Sequence, residues 1–367
     1  MNTQIQDTFT FKNGQTMRNR VVLAPMTICA SEPGGYVSQA DIDFFARRSR
    51  SVGMVITGST YVHPLGKSFA ESFSGAEDDK IEGLSRLAKA IKDQGALAIV
   101  QLYHGGRMVL PDLIDGQPVA PSAVKAPRDY LAEPRALKNS EVEQVIEDFL
   151  SAIRRAIQAG FDGVELHGAN TYLIQQFVSP HSNVRQDKWG GSLNNRLRFP
   201  KTLLKRAKQL VKEEANRPFL IGYRFSPEEI EEPGIQLYDT LQLLEQLIYH
   251  QVDYLHISTS DVWRSSIRDS QNSEPVIEKI IRKINDRVPL IGVGQIETKQ
   301  DAQRVLDAGI PLFALGKALL LDPDWTEKVV SGRESEVIRA YRDEMQADLA
   351  LPTAFVEDAR SYLEGKD

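Results

Sequence analysis

The sequence of 367 residues predicts an α/β fold, a (β/α)8 TIM barrel with an N-terminal hairpin and a C-terminal helical extension. Three observations predict it. Short runs rich in Val, Ile and Leu recur between residues 21 and 315, without the clean alternation of a sheet that has one wet face. Longer stretches with helical periodicity separate them. Several of these end in glycine just before the next apolar run, as at Gln94-Gly95, Ala159-Gly160 and Ala308-Gly309. An open doubly wound sheet is the alternative. Against it, no Gly-x-Gly-x-x-Gly opens a helix early in the chain, and Gly292-Val293-Gly294 has only half of that pattern and comes late.

Taken in order, Thr8–Arg20 carries Asn13-Gly14 between two short runs, a hairpin signal, and is expected to plug the bottom of the barrel. Strands are expected at Val21–Met26, Met54–Thr57, Ala98–Leu102, Gly163–His167, Phe219–Arg224, Tyr254–Ser258, Leu290–Val293 and Leu312–Leu315. Helices are expected at Ile81–Gln94, Glu141–Ala159, Leu197–Glu214, Tyr238–His250, Glu274–Asp286 and Lys299–Ala308. Tyr103–Asn139 is long, proline-bearing and weakly periodic, which reads as a loop over the barrel mouth. Residues 331–367 read as one or two added helices. The expected organisation is one domain over 1–367, with a hairpin cap at 8–20, the barrel at 21–322 and C-terminal helices at 323–367.

Composition narrows the function classes. With 41% hydrophobic and 26% charged residues the chain reads as a soluble globular protein with ample core. A net charge of -6 gives no electrostatic reason to expect nucleic acid or anionic lipid as partner. The start, Met1–Asp7, is polar without a signal segment, and no apolar run approaches the roughly 18 residues of a membrane span. A cytoplasmic location is expected, and a homo-oligomer is compatible with the sequence. The single cysteine, Cys29, excludes an internal disulfide and a four-thiolate iron–sulfur cluster within the chain. It reads as a small inert side chain.

The chemistry concentrates where strands end. In a barrel the catalytic groups sit at the C-terminal ends of the strands. Those ends here are Pro25-Met26-Thr27, Gly58-Ser59-Thr60, Gln101, His167, Arg224, Gly294-Gln295 and Gly316-Lys317. After His167 come Asn170 and Tyr172, so two hydrogen-bond donors and a phenol follow one apolar strand. Such a trio can hold one oxygen atom and deliver a proton beside it. No set of metal ligands and no Schiff-base lysine is evident, so no metal is expected.

Four blocks carry a family resemblance. They are Asn19–Thr27 (NRVVLAPMT), Gln101–Arg107 (QLYHGGR), Gly160–His167 (GFDGVELH) and Phe177–Ser192 (FVSPHSNVRQDKWGGS). In this order and spacing the chain resembles the old yellow enzyme family of FMN-dependent ene-reductases, from Arg18 to Pro323. The resemblance implies tightly bound FMN, NADPH or NADH as transient donor, and a small electron-poor alkene as substrate. It implies that Pro25, Met26, Thr27 and Ser59 line the flavin, Gln101 meets its pyrimidine edge, and Arg224 supplies the cation near N1. Gly294, Gln295, Gly316 and Lys317 would cradle the phosphate. His167 and Asn170 would bind the substrate carbonyl, and Tyr172 would protonate the α-carbon as hydride arrives from flavin N5. Arg185, Asp187 and Trp189–Ser192 would organise the loop after the fourth strand.

The chain departs from the family pattern in places. Lys317 stands where arginine is usual, a point charge without the bidentate fork. Ser59 stands where alanine or glycine is usual, and Trp189 where tyrosine is. Thr27 sets the chain apart from members with cysteine at that place. NADH oxidase or demethylase activity on the same scaffold is the alternative reading.

Overall fold

The computed structural model describes residues 3–364; the first two and last three residues of the expected 1–367 domain lie outside the described residues. Eight parallel strands close into a barrel: β1 (Val21–Leu23), β2 (Met54–Tyr61), β3 (Leu97–Tyr103), β4 (Gly163–Gly168), β5 (Leu220–Phe225), β6 (Tyr254–Ile257), β7 (Leu290–Val293) and β8 (Leu312–Leu315). β8 pairs with β1 through Phe313–Val21, Ala314–Val22 and Leu315–Leu23, which closes the ring. The expected fold class is the observed one. The strands are almost wholly buried, as runs such as Leu-Ala-Ile-Val-Gln-Leu-Tyr require when helices cover one face and the barrel interior the other.

The helices start and stop for local reasons. Asn139–Gln158 lays Val142, Val145, Ile146, Phe149, Leu150 and Ile153 along one buried stripe, and the Glu141 carboxylate accepts from the Lys138 backbone N–H. Gly95, Gly160 and Gly309 take positive φ of 85°, 88° and 85° just past their helices, the left-handed turn that hands each chain to the next strand. A helix at Gln39–Ser49 was not expected. Its signal is a capping box, in which Ser38 Oγ accepts from the Asp41 N–H and the Asp41 carboxylate accepts from the Ser38 N–H.

Two strands differ from expectation by more than one residue at an end. β1 stops at Leu23, three residues early, with the Ala24 N–H making one last bond to the Leu315 carbonyl. β2 runs four residues past Thr57, through a register shift between Ile56 and Ser59 that restarts the pairing with β3 at Gln101. Ser59 therefore lies within a strand. The loop after β3 is not featureless either, since Val119–Ala120 pairs with Arg135–Ala136. The C-terminal segment holds helices at Trp325–Val330 and Thr353–Glu364. Among the described residues no helix is long and apolar enough to cross a membrane.

The N-terminal hairpin pairs Phe9 with Met17 and Thr10 with Thr16, turning at Gly14 (φ 91°). It drives Phe11 and Met17 into a cluster with Val22, Met54, Ile56, Leu220, Tyr254 and Leu312. Those side chains close the bottom of the barrel, which leaves the opposite end for chemistry.

Candidate active site

The barrel register sets the site. Ser59 lies opposite Gln101, Gln101 opposite Glu165, and, two residues further along β4, His167 opposite Arg224 and Arg224 opposite His256. Side chains two apart on a strand share a face, so these six groups form two inward rows at the mouth.

The lower row is joined by hydrogen bonds. The Ser59 N–H donates to Thr27 Oγ1 at 3.1 Å, and Ser59 Oγ donates to Gln101 Oε1 at 3.2 Å. Gln101 Nε2 donates to Glu165 at 2.7 Å, and His256 Nδ1 meets the other Glu165 oxygen at 2.9 Å. Gln101 is thus fixed through both ends of its amide. Since Thr27 Oγ1 accepts from Ser59, its own proton is left to donate. The tight approach of β2 to Met26 requires Gly58, because a Cβ there would stand 2.6 Å from the Met26 carbonyl oxygen.

The upper row is less satisfied. Arg224 makes no hydrogen bond or salt bridge to the protein among the described residues, and its Nε is buried without a partner. A cation left unpaired at such depth is poised for a ligand. His167 Nδ1 accepts from the Ala169 N–H at 3.3 Å. Burial pulls its pKa well below the ordinary histidine range, with Arg224 and His256 adding to the effect. The imidazole is neutral, so its proton sits on Nε2 and can be donated.

Beyond β4 the chain turns sharply. Asn170 and Thr171 take positive φ of 55° and 64°, a strained pair for residues other than glycine. Side chains hold the turn: the Asn170 N–H donates to Ser226 Oγ, Ser258 Oγ donates to Asn170 Oδ1 at 2.8 Å, the Thr171 N–H donates to Gln175 Oε1, and Gln176 Nε2 donates to the Thr171 carbonyl. With its oxygen occupied, the Asn170 amide offers its NH2. Tyr172 then starts the short helix Leu173–Val178. Its ring meets His167 edge-on at 4.9 Å and Tyr103 at 5.2 Å. Burial pushes the Tyr172 phenol up to about 12, although Arg224 and Arg128 pull the other way. It stays protonated at neutral pH.

Gly294 (φ 110°) and Gln295 (φ 49°) follow β7, and Gly316 caps the helix Lys317–Leu321 after β8. Gly316 sits beside Met26, which joins the ends of β8 and β1. The Lys317 ammonium lies 4.7 Å over the Tyr362 ring of the C-terminal helix. The loop after β4 is tied down by Arg185, which pairs with Asp187 and donates to the Pro121 and Leu137 carbonyls, and by Asn183, which donates to the Trp189 carbonyl. Arg107 donates to the Val124 carbonyl and meets His181, pinning the loop after β3.

The sequence-derived candidates therefore lie around one mouth, at or next to strand ends except for Ser59 and Gln101, which reach it from within β2 and β3, while the Lys317 side chain is turned onto Tyr362. Sequence reasoning missed Glu165, His256, Ser226 and Ser258. A carboxylate in Val-Glu-Leu-His and an imidazole in Tyr-Leu-His-Ile, both in strands buried on two faces, were the available signal. The donor set fits the flavin that the resemblance implies: a row of hydrogen-bonding groups, an unpartnered guanidinium for an electron-rich edge, and glycines at two strand ends for a phosphate.

The comparisons agree. The model of the NADH:flavin oxidoreductase / NADH oxidase family matches residues 6–336. The chain is 47% identical over 340 residues to the NADH:fumarate oxidoreductase of Klebsiella pneumoniae (strain 342), covering 92% of this chain but only 37% of that protein. It is 45% identical to a Bacillus subtilis (strain 168) protein named "Probable NADH-dependent flavin oxidoreductase YqiG", covering 90% and 88% of the two chains. Among solved structures, the old yellow enzyme homologue from Zymomonas mobilis superposes with a TM-score of 0.79 at 27% identity, covering 90% and 93%.

Proposed function

Because the chain belongs to the NADH:flavin oxidoreductase / NADH oxidase family, the family of old yellow enzyme, we propose that it uses NADH or NADPH to reduce the activated C=C bond of α,β-unsaturated carbonyl or nitro compounds. FMN, when bound, supplies a carrier that takes hydride from the nicotinamide and gives it to the alkene. Pro25, Met26, Thr27, Ser59, Gln101 and Arg224 would hold its ring, and Gly294, Gln295, Gly316 and Lys317 its phosphate.

The single observation that carries the substrate reading is the pairing of two neutral donors beside one neutral acid. His167 Nε2–H and the Asn170 NH2 would donate to the oxygen of the activating group and stabilise the negative charge that develops on it. A neutral imidazole does this without surrendering its proton. Tyr172, packed edge-on against His167, would protonate the carbon next to that group. The strained turn at Asn170 and Thr171 is what brings the amide and the phenol back toward the strand end.

The relative named for fumarate reduction is far longer than this chain, so a second reading is favoured by that observation and by the family description. In it the chain accepts electrons from NADH and passes them to oxygen or to another protein segment. One experiment separates the two. The purified protein, which should be yellow, is reduced anaerobically with NADH or NADPH and then mixed with enones, nitroalkenes and unsaturated carboxylates. Rapid reoxidation by an alkene with formation of the saturated product supports the first reading. Reoxidation by oxygen alone supports the second, and a colourless protein that binds no FMN removes both.

A further inference from the structure

We propose that Glu165 is a positioning residue, a buried counter-charge which, together with His256, fixes Gln101 and leaves the N–H groups of Arg224 free, thereby holding down the reduction potential of the bound flavin. The inference rests on the reading that FMN lies at this mouth.

Glu165 and His256 are both wholly buried, at 0% exposure. Each Glu165 oxygen has one partner, Gln101 Nε2 at 2.7 Å and His256 Nδ1 at 2.9 Å. A carboxylate so deep needs compensation, and burial does oppose its ionisation. His256 and Arg224, together with the Gln101 bond, outweigh burial and hold the carboxyl below its ordinary range. Glu165 is thus ionised. Burial lowers the pKa of His256 despite its carboxylate partner, so the imidazole is neutral and donates from Nδ1. Its Nε2 has no partner.

The compensation is indirect. Arg224 makes no salt bridge to Glu165, although the two influence each other electrostatically. The register explains why. Opposite Glu165 on β5 stands Gly222, and Arg224 comes two residues later, opposite His167. A Cβ at Gly222 would collide with the Tyr254 ring, which occupies that space. The carboxylate therefore sits one row below the guanidinium, near enough to balance its charge and too low to occupy its N–H groups. Those groups stay available to a ligand above.

Reduction adds negative charge to a flavin, and an arginine beside it favours that charge. A fixed carboxylate one row deeper opposes it. Converting Glu165 to a neutral group should make reduction easier, an effect distinct from loosening the fold. The change substitutes none of the residues expected to touch the flavin, and a glutamine oxygen can still accept from Gln101 Nε2.

The test measures the midpoint potential of FMN bound to the parent protein and to Glu165→Gln, His256→Leu and His256→Asn, with the dissociation constants of oxidised FMN alongside. Glu165→Gln should raise the ratio of oxidised to reduced dissociation constants at least tenfold, a shift of about 30 mV to more positive potential for a two-electron couple. His256→Leu, which removes a donor to the carboxylate, should shift the potential in the same direction by less, and His256→Asn, which can keep one, should stay within about threefold of the parent. If Glu165→Gln does not fold, the order of the two His256 variants decides. Weaker binding of both redox forms in equal measure, with the potential unchanged, would reduce Glu165 to a structural role and overturn the proposal. A parent protein without bound FMN would overturn the underlying reading as well.

Discussion

The bottom and the mouth of this barrel are ends of the same eight strands, yet their interiors are opposites. At the bottom, Phe11 and Met17 from the hairpin meet Met54, Ile56, Leu220 and Leu312, an interior of apolar side chains. At the mouth stand Glu165, His167, Arg224 and His256, with a buried guanidinium nitrogen and an imidazole nitrogen lacking partners. Left-handed backbone at non-glycine residues occurs at both ends, at Asn170, Thr171 and Gln295 by the mouth and at Gln251, Asn285 and Asp286 in the loops entering β6 and β7, at a cost of order 1–3 kcal/mol each. An end optimised for stability would not keep that buried, unpartnered guanidinium nitrogen. The difference teaches that the closed end supports the fold while the open end holds a charged group with unspent hydrogen bonds for a ligand.

The sharpest way to break that comparison is at the mouth. Tyr172→Phe should lower the rate of alkene reduction by roughly 10²–10⁴-fold, the range of a positioned general acid, while leaving the fold and flavin reduction by NADH nearly unchanged. Single-turnover measurements of the two half-reactions check this. Equal loss in both would show that the phenol supports structure rather than proton delivery. At the other end, Phe11→Ala should cost about 3–5 kcal/mol of stability through the cavity it leaves. Its flavin spectrum and half-reactions should stay those of the parent. If this bottom variant changed the chemistry instead, the division of labour between the ends would fail.

The two ends were also legible in the sequence to different degrees. Every barrel strand was visible as an apolar run, because burial on both faces leaves a compositional mark that needs no tertiary knowledge. The hairpin was visible because Asn13-Gly14 has few other uses. The mouth was legible only where its residues are exceptional for their position, as His167 is at the end of Val-Glu-Leu-His. Glu165, in the same four residues, went unread because a lone carboxylate in a strand acquires meaning from partners on β3 and β6, distant in sequence. Ser226 and Ser258 were invisible for a simpler reason: serines after strands are common, and only the turn at Asn170 gives these two a task. The helix Gln39–Ser49 was missed because its apolar stripe is weak, although Ser38 and Asp41 announce its start.

Acid sharpens the comparison next. His104, 1% exposed at the mouth end of β3, has its pKa pulled to about 3 by burial, with His63 adding to it. The unfolded chain would take up that proton near the ordinary value of about 6.5. Below 6.5 the unfolded state binds more protons than the native state, so stability falls as pH falls through the window from 6.5 toward 3. At pH 5 this one group contributes about 2 kcal/mol of lost stability. The bottom cluster contains no histidine and has no such liability. Thermal midpoints of the parent and of His104→Asn between pH 7 and pH 5 check the sign. The variant should start lower and decline less steeply, and parallel slopes would refute the assignment.

The smallest expected effect is the most local. Ser258 Oγ donates to Asn170 Oδ1 at 2.8 Å, which keeps the amide oxygen turned away and its NH2 available. Ser258→Ala removes one neutral hydrogen bond on an exposed side chain, worth about 1 kcal/mol, and frees the amide to rotate. Binding of a carbonyl-bearing ligand or phenol to the oxidised protein should weaken by about fivefold, with no change in flavin reduction. A titration of the visible spectrum measures it. The strain at Asn170 makes the result informative in both directions. If the turn is held chiefly by the Asn170 N–H on Ser226, the affinity falls only by the amide's lost orientation. If Ser258 also restrains the turn itself, Tyr172 shifts with it and alkene reduction falls well beyond fivefold. Unchanged affinity would mean that Asn170 does not contact the ligand at all, and the mouth would then rest on His167 alone.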